Sequence, residues 1–317
     1  MRDGFSVLLE GMSRKLRFVP EGGALVEVTC RTIHGRLLLR PSQQLDEIVV
    51  GILARAQRTF QVRCCGYCFL GNHYHLLLDV DSARQLAKFM GYVNSNLARE
   101  VGRLADWRDK FWSRRYQAIL VSAEEGAQRE RLKYVLSHGP KEGLVERPGE
   151  WPGLHAAKDF VEGRAVEGYW FDRTQEYAAK RRRESFDRLR FATRETLTLS
   201  PLPCWKNLSE AVWRQRAAAL VAEIEEEFAA QRVRTGKQPL GVAAVLGQHP
   251  HDRPQRSKKS PAPFVHAASR QIRRELYEAY RGFVAIYRTA AEKLRAGDPT
   301  ARFPAGSFPP ALPYVAA

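Results

Sequence analysis

The 317-residue sequence contains no apolar stretch near the roughly 18 to 20 residues that a membrane-spanning helix needs. Val7–Leu9, close to the N-terminus, is far too short to be the core of a secretory signal peptide. Cysteine is also scarce, and five cysteines are an odd number in a long chain, which argues against a disulfide framework. The sequence therefore predicts a cytoplasmic protein rather than a membrane or secreted one.

Acidic residues are too few to balance the basic ones. The chain has 51 Lys and Arg against 35 Asp and Glu, a net charge of +16, of which +6 lies in residues 1–165 and +10 in residues 166–317. A basic excess of this size favours a polyanionic partner. The hydrophobic fraction of 44% at the same time argues against wholesale disorder.

Hydrophobic periodicity predicts both helices and strands in the first half of the chain. The predicted strands are Ala24–Thr32, Val62–Leu70, His73–Val80 and Tyr116–Ser122, and the predicted helices are Leu45–Phe60, Ser82–Leu104 and Ala123–Ser137. The order β-α-β-β-α-β-α is typical of a ferredoxin-like antiparallel sheet backed by helices. The predicted fold class is therefore α/β in the broad sense (α+β).

The pattern changes after about residue 165. Asn207–Val233 and Val265–Ala296 have the spacing of long helices, and Gly247–Pro263, rich in proline, histidine and lysine, is typical of an exposed loop. A proline-rich tail begins at Phe303. We therefore predict one domain over residues 14–165 and a basic, mainly helical extension over residues 166–317.

Basic residues of the extension form clusters. The main ones are Lys180, Arg181, Arg182 and Arg183, followed by Arg188 and Arg190, and then Arg253, Arg256, Lys258 and Lys259. A single cluster is explained equally well by a surface that only contacts solvent. Together with the overall charge, the clusters favour contacts with nucleic acid.

The sharpest local motif is Asn72-His73-Tyr74-His75 at the start of a predicted strand. Alternate side chains of a strand point to the same face, so His73 and His75 can converge on one divalent ion. Two ordinary strand histidines are the alternative, and the motif alone leaves both interpretations open.

A second motif pairs Tyr134 with His138 on a predicted helix. Residues four apart share a face, so a tyrosine oxygen and a further metal ligand would project together. Arg131 lies three residues before Tyr134 and could contact a phosphate. A tyrosine that merely packs between sheet and helix is the alternative.

Taken together, these motifs resemble the single-tyrosine HUH transposases, and most closely the REP-associated tyrosine transposases. Their Asn-His-x-His strand is matched by Asn72–His75, and their tryptophan-containing segment by Phe111–Tyr116. Their helix Tyr-Ile-x-x-Asn-Pro-Val-Arg-Ala-Gly-Leu-Val is matched without a gap by Tyr134–Val145, and the downstream Trp-Pro pair by Trp151-Pro152.

Two departures from the family pattern are visible. Leu70-Gly71 stands where Met-Pro commonly precedes the asparagine, which changes only the turn. His138 occupies the asparagine position one turn after the tyrosine, and this strengthens the metal interpretation because histidine is the better ligand. The resemblance covers residues 14–155 and explains nothing in the second half.

The resemblance implies a specific chemistry. His73, His75 and His138 would hold a divalent metal ion, Mg²⁺ or Mn²⁺, of which imidazole ligands prefer Mn²⁺. Tyr134 would attack a phosphodiester of single-stranded or hairpin DNA and leave a 5′-phosphotyrosine and a free 3′-hydroxyl, so that rejoining needs no ATP. A homodimer is expected from the family alone.

The remaining DNA contacts are predicted from aromatic and basic residues. Trp112 could stack on an unpaired base, or it could serve only in structural packing, and Arg114 and Arg115 could bind phosphates beside it. Arg131 and Lys180–Arg183 complete the predicted DNA-binding set.

Two other functions compete with DNA cleavage. A domesticated protein that binds hairpin DNA without cutting it has no reason to keep all of His73, His75, Tyr134 and His138. A metal-dependent hydrolase would need further Asp or His ligands on later strands, whereas the second half is predicted to be helical.

Overall fold

The computed structural model describes residues 15–163, 165–185, 187–254 and 263–311. The predicted cluster members Arg256, Lys258 and Lys259 lie outside these residues. The strands are β1 (Ala24–Arg31), β2 (Arg63–Leu70), β3 (His73–Val80), β4 (Gln117–Val121), β5 (Val166–Phe171), β6 (Ala192–Leu197) and β7 (Val265–His266). The α-helices are α1 (Gln43–Phe60), α2 (Ala83–Leu104), α3 (Glu125–Leu136), α4 (Ala156–Glu162), α5 (Arg173–Arg181), α6 (Glu210–Thr235), α7 (Val242–Gly247) and α8 (Arg270–Arg295).

The central sheet has the strand order β2-β3-β1-β4-β7 and is antiparallel except for the β4–β7 pair. Helices α1 and α2 cover one face, where the Tyr74 hydroxyl of β3 donates to the Asn94 side chain of α2. Helix α3 covers the other face, with Leu132 packed over Gly66 of β2. The predicted α+β class with an antiparallel-dominated sheet is confirmed.

Both long helices of the first half begin at serine caps. Ser42 and Ser82 accept hydrogen bonds from the backbone N–H groups of Leu45 and Gln85, which satisfies donors that the first helical turn leaves open. Helix α1 ends at Gln61, whose φ of 54° lies in the left-handed region that stops a helix. The caps therefore fix the bounds of α1 and α2 within a few residues of the predicted ones.

The second half wraps around the first and shares its core. Strand β7 pairs with β4, and Trp205, Leu220 and Tyr280 belong to the same buried apolar cluster as Leu25 of β1. The extension is mainly helical as predicted, but it also contains a two-stranded antiparallel sheet, β5–β6, which packs on α1. Of the helices described, none is long and apolar enough to span a membrane.

The β5–β6 sheet approaches α1 so closely that only glycine fits at the contact. A Cβ added at Gly51 of α1 would lie 2.2 Å from backbone atoms of Tyr169. We expect Gly51→Ala to lower the free energy of unfolding by about 2 kcal/mol or more, because the β5–β6 sheet must move away from α1. Gly91→Ala is the matched control: its Cβ meets no atom within 4 Å, so in urea unfolding it should be neutral or stabilising by up to about 1 kcal/mol. Equal effects of the two substitutions would contradict this packing.

Candidate active site

Three histidines meet on the sheet face covered by α3. Alternation along β3 places His73 and His75 on that face, with ring centroids 5.2 Å apart. His138 follows the end of α3, where Gly139 turns the chain with φ of 98°, and its ring stacks on that of His75 at 4.1 Å. One ring nitrogen of each histidine lies within 4.8 Å of those of the other two.

Each of the three rings is oriented by a hydrogen bond at Nδ1. A donating Nδ1–H leaves the lone pair of Nε2 available as a metal ligand. The buried Nε2 of His138 has no hydrogen-bond partner among the residues that the structure describes. The three pairs are His73 Nδ1 with Asn72 Oδ1 at 2.6 Å, His75 Nδ1 with Glu27 Oε1 at 2.7 Å, and His138 Nδ1 with Glu142 Oε1 at 2.8 Å.

The protonation states also suit a cation site. Burial, reinforced by the neighbouring histidines, holds the pKa values of His73 and His75 well below the ordinary value, so both are neutral at physiological pH. Burial alone would raise the pKa of Glu142, but hydrogen bonds from His138 and the Gly139 N–H lower it to about 2. A neutral imidazole is the form in which histidine binds a metal, so His73 and His75 are in the state that a cation site needs.

A buried ion pair lies beneath the histidines. Glu27 of β1 is fully buried and pairs through its second oxygen with the guanidinium of Arg131 on α3. Burial raises the pKa of Glu27, and the charge of Arg131 opposes that shift. Arg131, predicted to contact a phosphate, is thus placed in an ion pair that orients His75 through Glu27.

Tyr134 lies beside the histidines and is half-buried. Its ring centroid is 5.0 Å from that of His138 and 5.9 Å from that of His75. Two cations lie over the ring, the Arg131 guanidinium at 4.2 Å and the Lys141 ammonium at 3.6 Å from the centroid. Burial raises the pKa of Tyr134, so the phenol is protonated at neutral pH.

The extension holds the turn that follows His138. Leu240 and Gly241 donate backbone hydrogen bonds to the carbonyls of Gly143 and Leu144, at 2.8 and 3.0 Å. Val245 of α7 is buried with residues of β2, α3 and the segment after the turn: Cys68, Leu70, Val135, Val145 and Trp151. Residues 240–245 therefore support the segment that carries His138 and Glu142.

Trp112, Arg114 and Arg115 line a groove of about 950 Å³ on the opposite, α2 face of the sheet. The Trp112 indole donates to the Asn94 carbonyl of α2 at 2.9 Å, and its ring packs on Tyr74. Arg114 is exposed, and Arg115 donates to the Lys15 carbonyl at 2.7 Å. These three residues therefore lie on the other side of the sheet from the histidines.

The Lys180–Arg183 cluster lies at the end of α5. All four side chains are exposed; Lys180 pairs with Glu176 and Arg182 with Glu184. Helix α5 is tied to α2 by the ion pair of Arg173 with Glu100. The cluster is thus also separate from the histidines.

Part of the chain is similar to a known protein family. Residues 39–136 match the family model for IS200-like transposases. This segment, just under a third of the chain, is similar to IS200-like transposases. It contains His73, His75 and Tyr134, and it ends two residues before His138.

Two solved structures resemble part of this chain. One is the REP-associated tyrosine transposase bound to a REP hairpin, at 15% identity over 48% of this chain and 87% of that chain, with a TM-score of 0.40. The other is a protein from Deinococcus radiodurans R1 provisionally described as a transposase, at 14% identity over 39% and 95% of the two chains, with a TM-score of 0.28. No curated protein matches the chain.

Sequence reasoning missed Glu27, Lys141 and Glu142. Glu27 had a visible signal, because it is a lone carboxylate among apolar residues of a predicted strand. Glu142 lies four residues after His138, a spacing that brings two side chains together on one helical face. Lys141 had no comparable signal in the sequence.

Proposed function

We propose that this chain cleaves and rejoins single-stranded DNA, at a hairpin or repeat, with Tyr134 as the nucleophile. The convergence of three histidine nitrogens within 4.8 Å, beside a tyrosine, carries the proposal. The transposase family of residues 39–136 and the net charge of +16 support DNA as the partner.

The residues at the site fit a divalent metal ion. His73, His75 and His138 offer nitrogen ligands, their orientations are fixed by Asn72, Glu27 and Glu142, and the His138 Nε2 is buried without a hydrogen-bond partner among the described residues. A Mg²⁺ or Mn²⁺ ion bound there would neutralise the non-bridging oxygens of a phosphodiester as negative charge develops on them.

Tyr134 supplies the covalent step. Its phenolic oxygen attacks the phosphorus, the bond from phosphorus to the 3′-oxygen breaks, and the phenol proton ends on that oxygen. The products are a 5′-phosphotyrosine and a 3′-hydroxyl. Because the phosphodiester energy is kept in the phosphotyrosine, a second 3′-hydroxyl can reverse the step without ATP.

Two cations favour ionisation of the phenol. Arg131 and Lys141 lie over the Tyr134 ring, where positive charge stabilises a developing phenolate. Arg131 is held by Glu27, whereas Lys141 forms no ion pair with any residue in the described part of the chain. We therefore assign to Lys141 a contact with the scissile phosphate.

DNA on either side of the scissile phosphate would bind to the basic surfaces that lie away from the histidines. Trp112, Arg114 and Arg115 in the groove on the α2 face are proposed to contact an unpaired or hairpin segment. Lys180–Arg183 are exposed and are proposed as weaker phosphate contacts, since two of them already have carboxylate partners.

A fluorescently labelled hairpin with a single-stranded flank tests this proposal. Incubation with Mn²⁺ should give a shortened labelled strand on a denaturing gel, and a second species that protease treatment shifts. Binding without cleavage would instead establish the non-cleaving hairpin binder. Cleavage without a protease-sensitive species would establish a hydrolase.

The carboxylate behind His138 has its own test. Glu142→Gln should weaken Mn²⁺ affinity by about 10- to 100-fold, because the amide no longer accepts the Nδ1–H bond as a charged partner. Calorimetric titration measures the affinity, and excess Mn²⁺ should restore much of the cleavage rate. Glu146→Gln, four residues further along and exposed, is the matched control and should leave the titration unchanged. An unaltered titration for Glu142→Gln would show that this carboxylate does not act on a bound metal through His138.

A further inference from the structure

One flank of α8 carries a row of arginines that the candidate active site does not use. Arg274, Arg281, Arg288 and Arg295 are spaced seven residues apart, and Arg270 lies one turn before the first. Seven residues are almost two helical turns, so the five side chains fall within an arc of about 60°. From Arg274 to Arg295 the row extends about 32 Å, at 1.5 Å per residue.

The row faces solvent, while the other flank of α8 packs on the core through Tyr280, Val284, Ala290 and Ala291. All five arginines are exposed. Arg281 lies 3.7 Å from Glu278, and the other four form no ion pair with any residue that the structure describes. Arg270 and Arg274 are four residues apart and repel each other, so this end of the row gains stability when an anion lies across it.

The row borders the groove on the α2 face. The Tyr280 hydroxyl accepts a hydrogen bond from the Leu16 N–H at 3.1 Å, and the Tyr280 ring lies 4.2 Å from that of Phe264; Leu16 and Phe264 both line the groove. Burial raises the pKa of Tyr280, and the charges of Arg115 and Arg288 both oppose that shift. A groove arginine and a row arginine thus lie near the same hydroxyl.

We propose that the α8 arginine row binds the phosphate backbone of duplex DNA next to the segment held in the groove. The guanidinium group matches phosphate geometry and stays charged at any physiological pH. The row is straight and about as long as one turn of duplex, roughly 34 Å. A single strand has no such rigid length to match. This assignment rests on the proposed function only in taking DNA as the partner.

Fluorescence anisotropy of full-length Tyr134→Phe protein in EDTA isolates binding from cleavage. The probe is a blunt duplex of about two helical turns, titrated at several salt concentrations. Replacing Arg274, Arg281, Arg288 and Arg295 by Gln should reduce the slope of log K against log salt by up to about 3.6, or 0.9 for each phosphate that the protein no longer neutralises. The matched control replaces the same four residues by Lys, keeps the charge, and should keep most of the slope.

Three results would overturn the assignment. The first is an unchanged slope in the Gln variant. The second is an equal loss in the Gln and Lys variants together with a lowered melting temperature, which indicates a structural role. The third is loss of binding to vesicles of phosphatidylcholine and phosphatidylserine with no change for DNA, which indicates a membrane surface. A wild type that binds duplex through α8 but never forms a covalent adduct would refute the proposed function alone.

Discussion

Tyr134→Phe should abolish the covalent protein–DNA adduct and lower DNA cleavage by about 10⁴-fold or more, since it removes the attacking oxygen. The ring, and with it the contacts to His138, Arg131 and Lys141, is retained. DNA affinity and thermal stability should therefore stay close to those of the wild type. A denaturing gel of labelled hairpin in Mn²⁺ measures the loss.

Tyr92→Phe and Tyr116→Phe are the matched controls. Tyr116 accepts a hydrogen bond from Arg17, and the Tyr92 hydroxyl is buried on α2, away from the histidines. Both variants should form the adduct normally. If the adduct persists in Tyr134→Phe and disappears in one of the controls, the tyrosine replaced in that control is the nucleophile.

Breaking the ion pair beneath the site should have the largest effect on stability. Glu27→Gln leaves the Arg131 guanidinium buried without a countercharge, and such a loss typically costs about 3–5 kcal/mol. It also weakens the acceptor for the His75 Nδ1–H, so Mn²⁺ affinity should fall by about 10- to 100-fold. Urea unfolding and metal titration measure the two effects separately.

The double variant Glu27→Leu/Arg131→Met separates fold from site. Replacing both charges by apolar groups should recover most of the stability, because no unpaired charge remains buried. Mn²⁺-dependent cleavage should stay low, because His75 still lacks its carboxylate partner. Recovery of both stability and cleavage would show that the pair serves the fold alone.

The first half of the fold follows from local patterns. The predicted helix Leu45–Phe60 differs from α1 by two residues at one end, and the predicted strand Tyr116–Ser122 differs from β4 by one residue at each end. Serine caps are local signals, so they are readable in the sequence, whereas the left-handed Gln61 after α1 is not.

The second half depends on contacts that no local pattern reveals. The spacing predicts a long helix that begins at Val265, but Val265–His266 pair with Leu120 and Val121 of β4, far away in the chain. Strands β5 and β6 are joined by a long connection that contains α5, so this part of the sequence lacks the short turn that marks a hairpin.

The site could be predicted only as far as individual motifs reach. Strand alternation places His73 and His75 on one face, and helical spacing pairs Tyr134 with His138. Helix α3 packs over the face of β3 that carries the histidines. This packing is a property of the tertiary fold, which the motifs do not reveal. The same is true of Glu27, because its contact with His75 requires β1 to pair with β3 in one register.

Peptide mapping of the covalent complex identifies the residue that attacks the DNA. The protein is incubated with Mn²⁺ and a hairpin substrate, digested with trypsin and nuclease, and analysed by mass spectrometry. We expect a nucleotide attached to the peptide Tyr134–Lys141, in which Tyr134 is the only tyrosine. Cleaved DNA with the nucleotide on a peptide containing Tyr92 or Tyr116, or on no peptide, would rule out Tyr134 as the nucleophile.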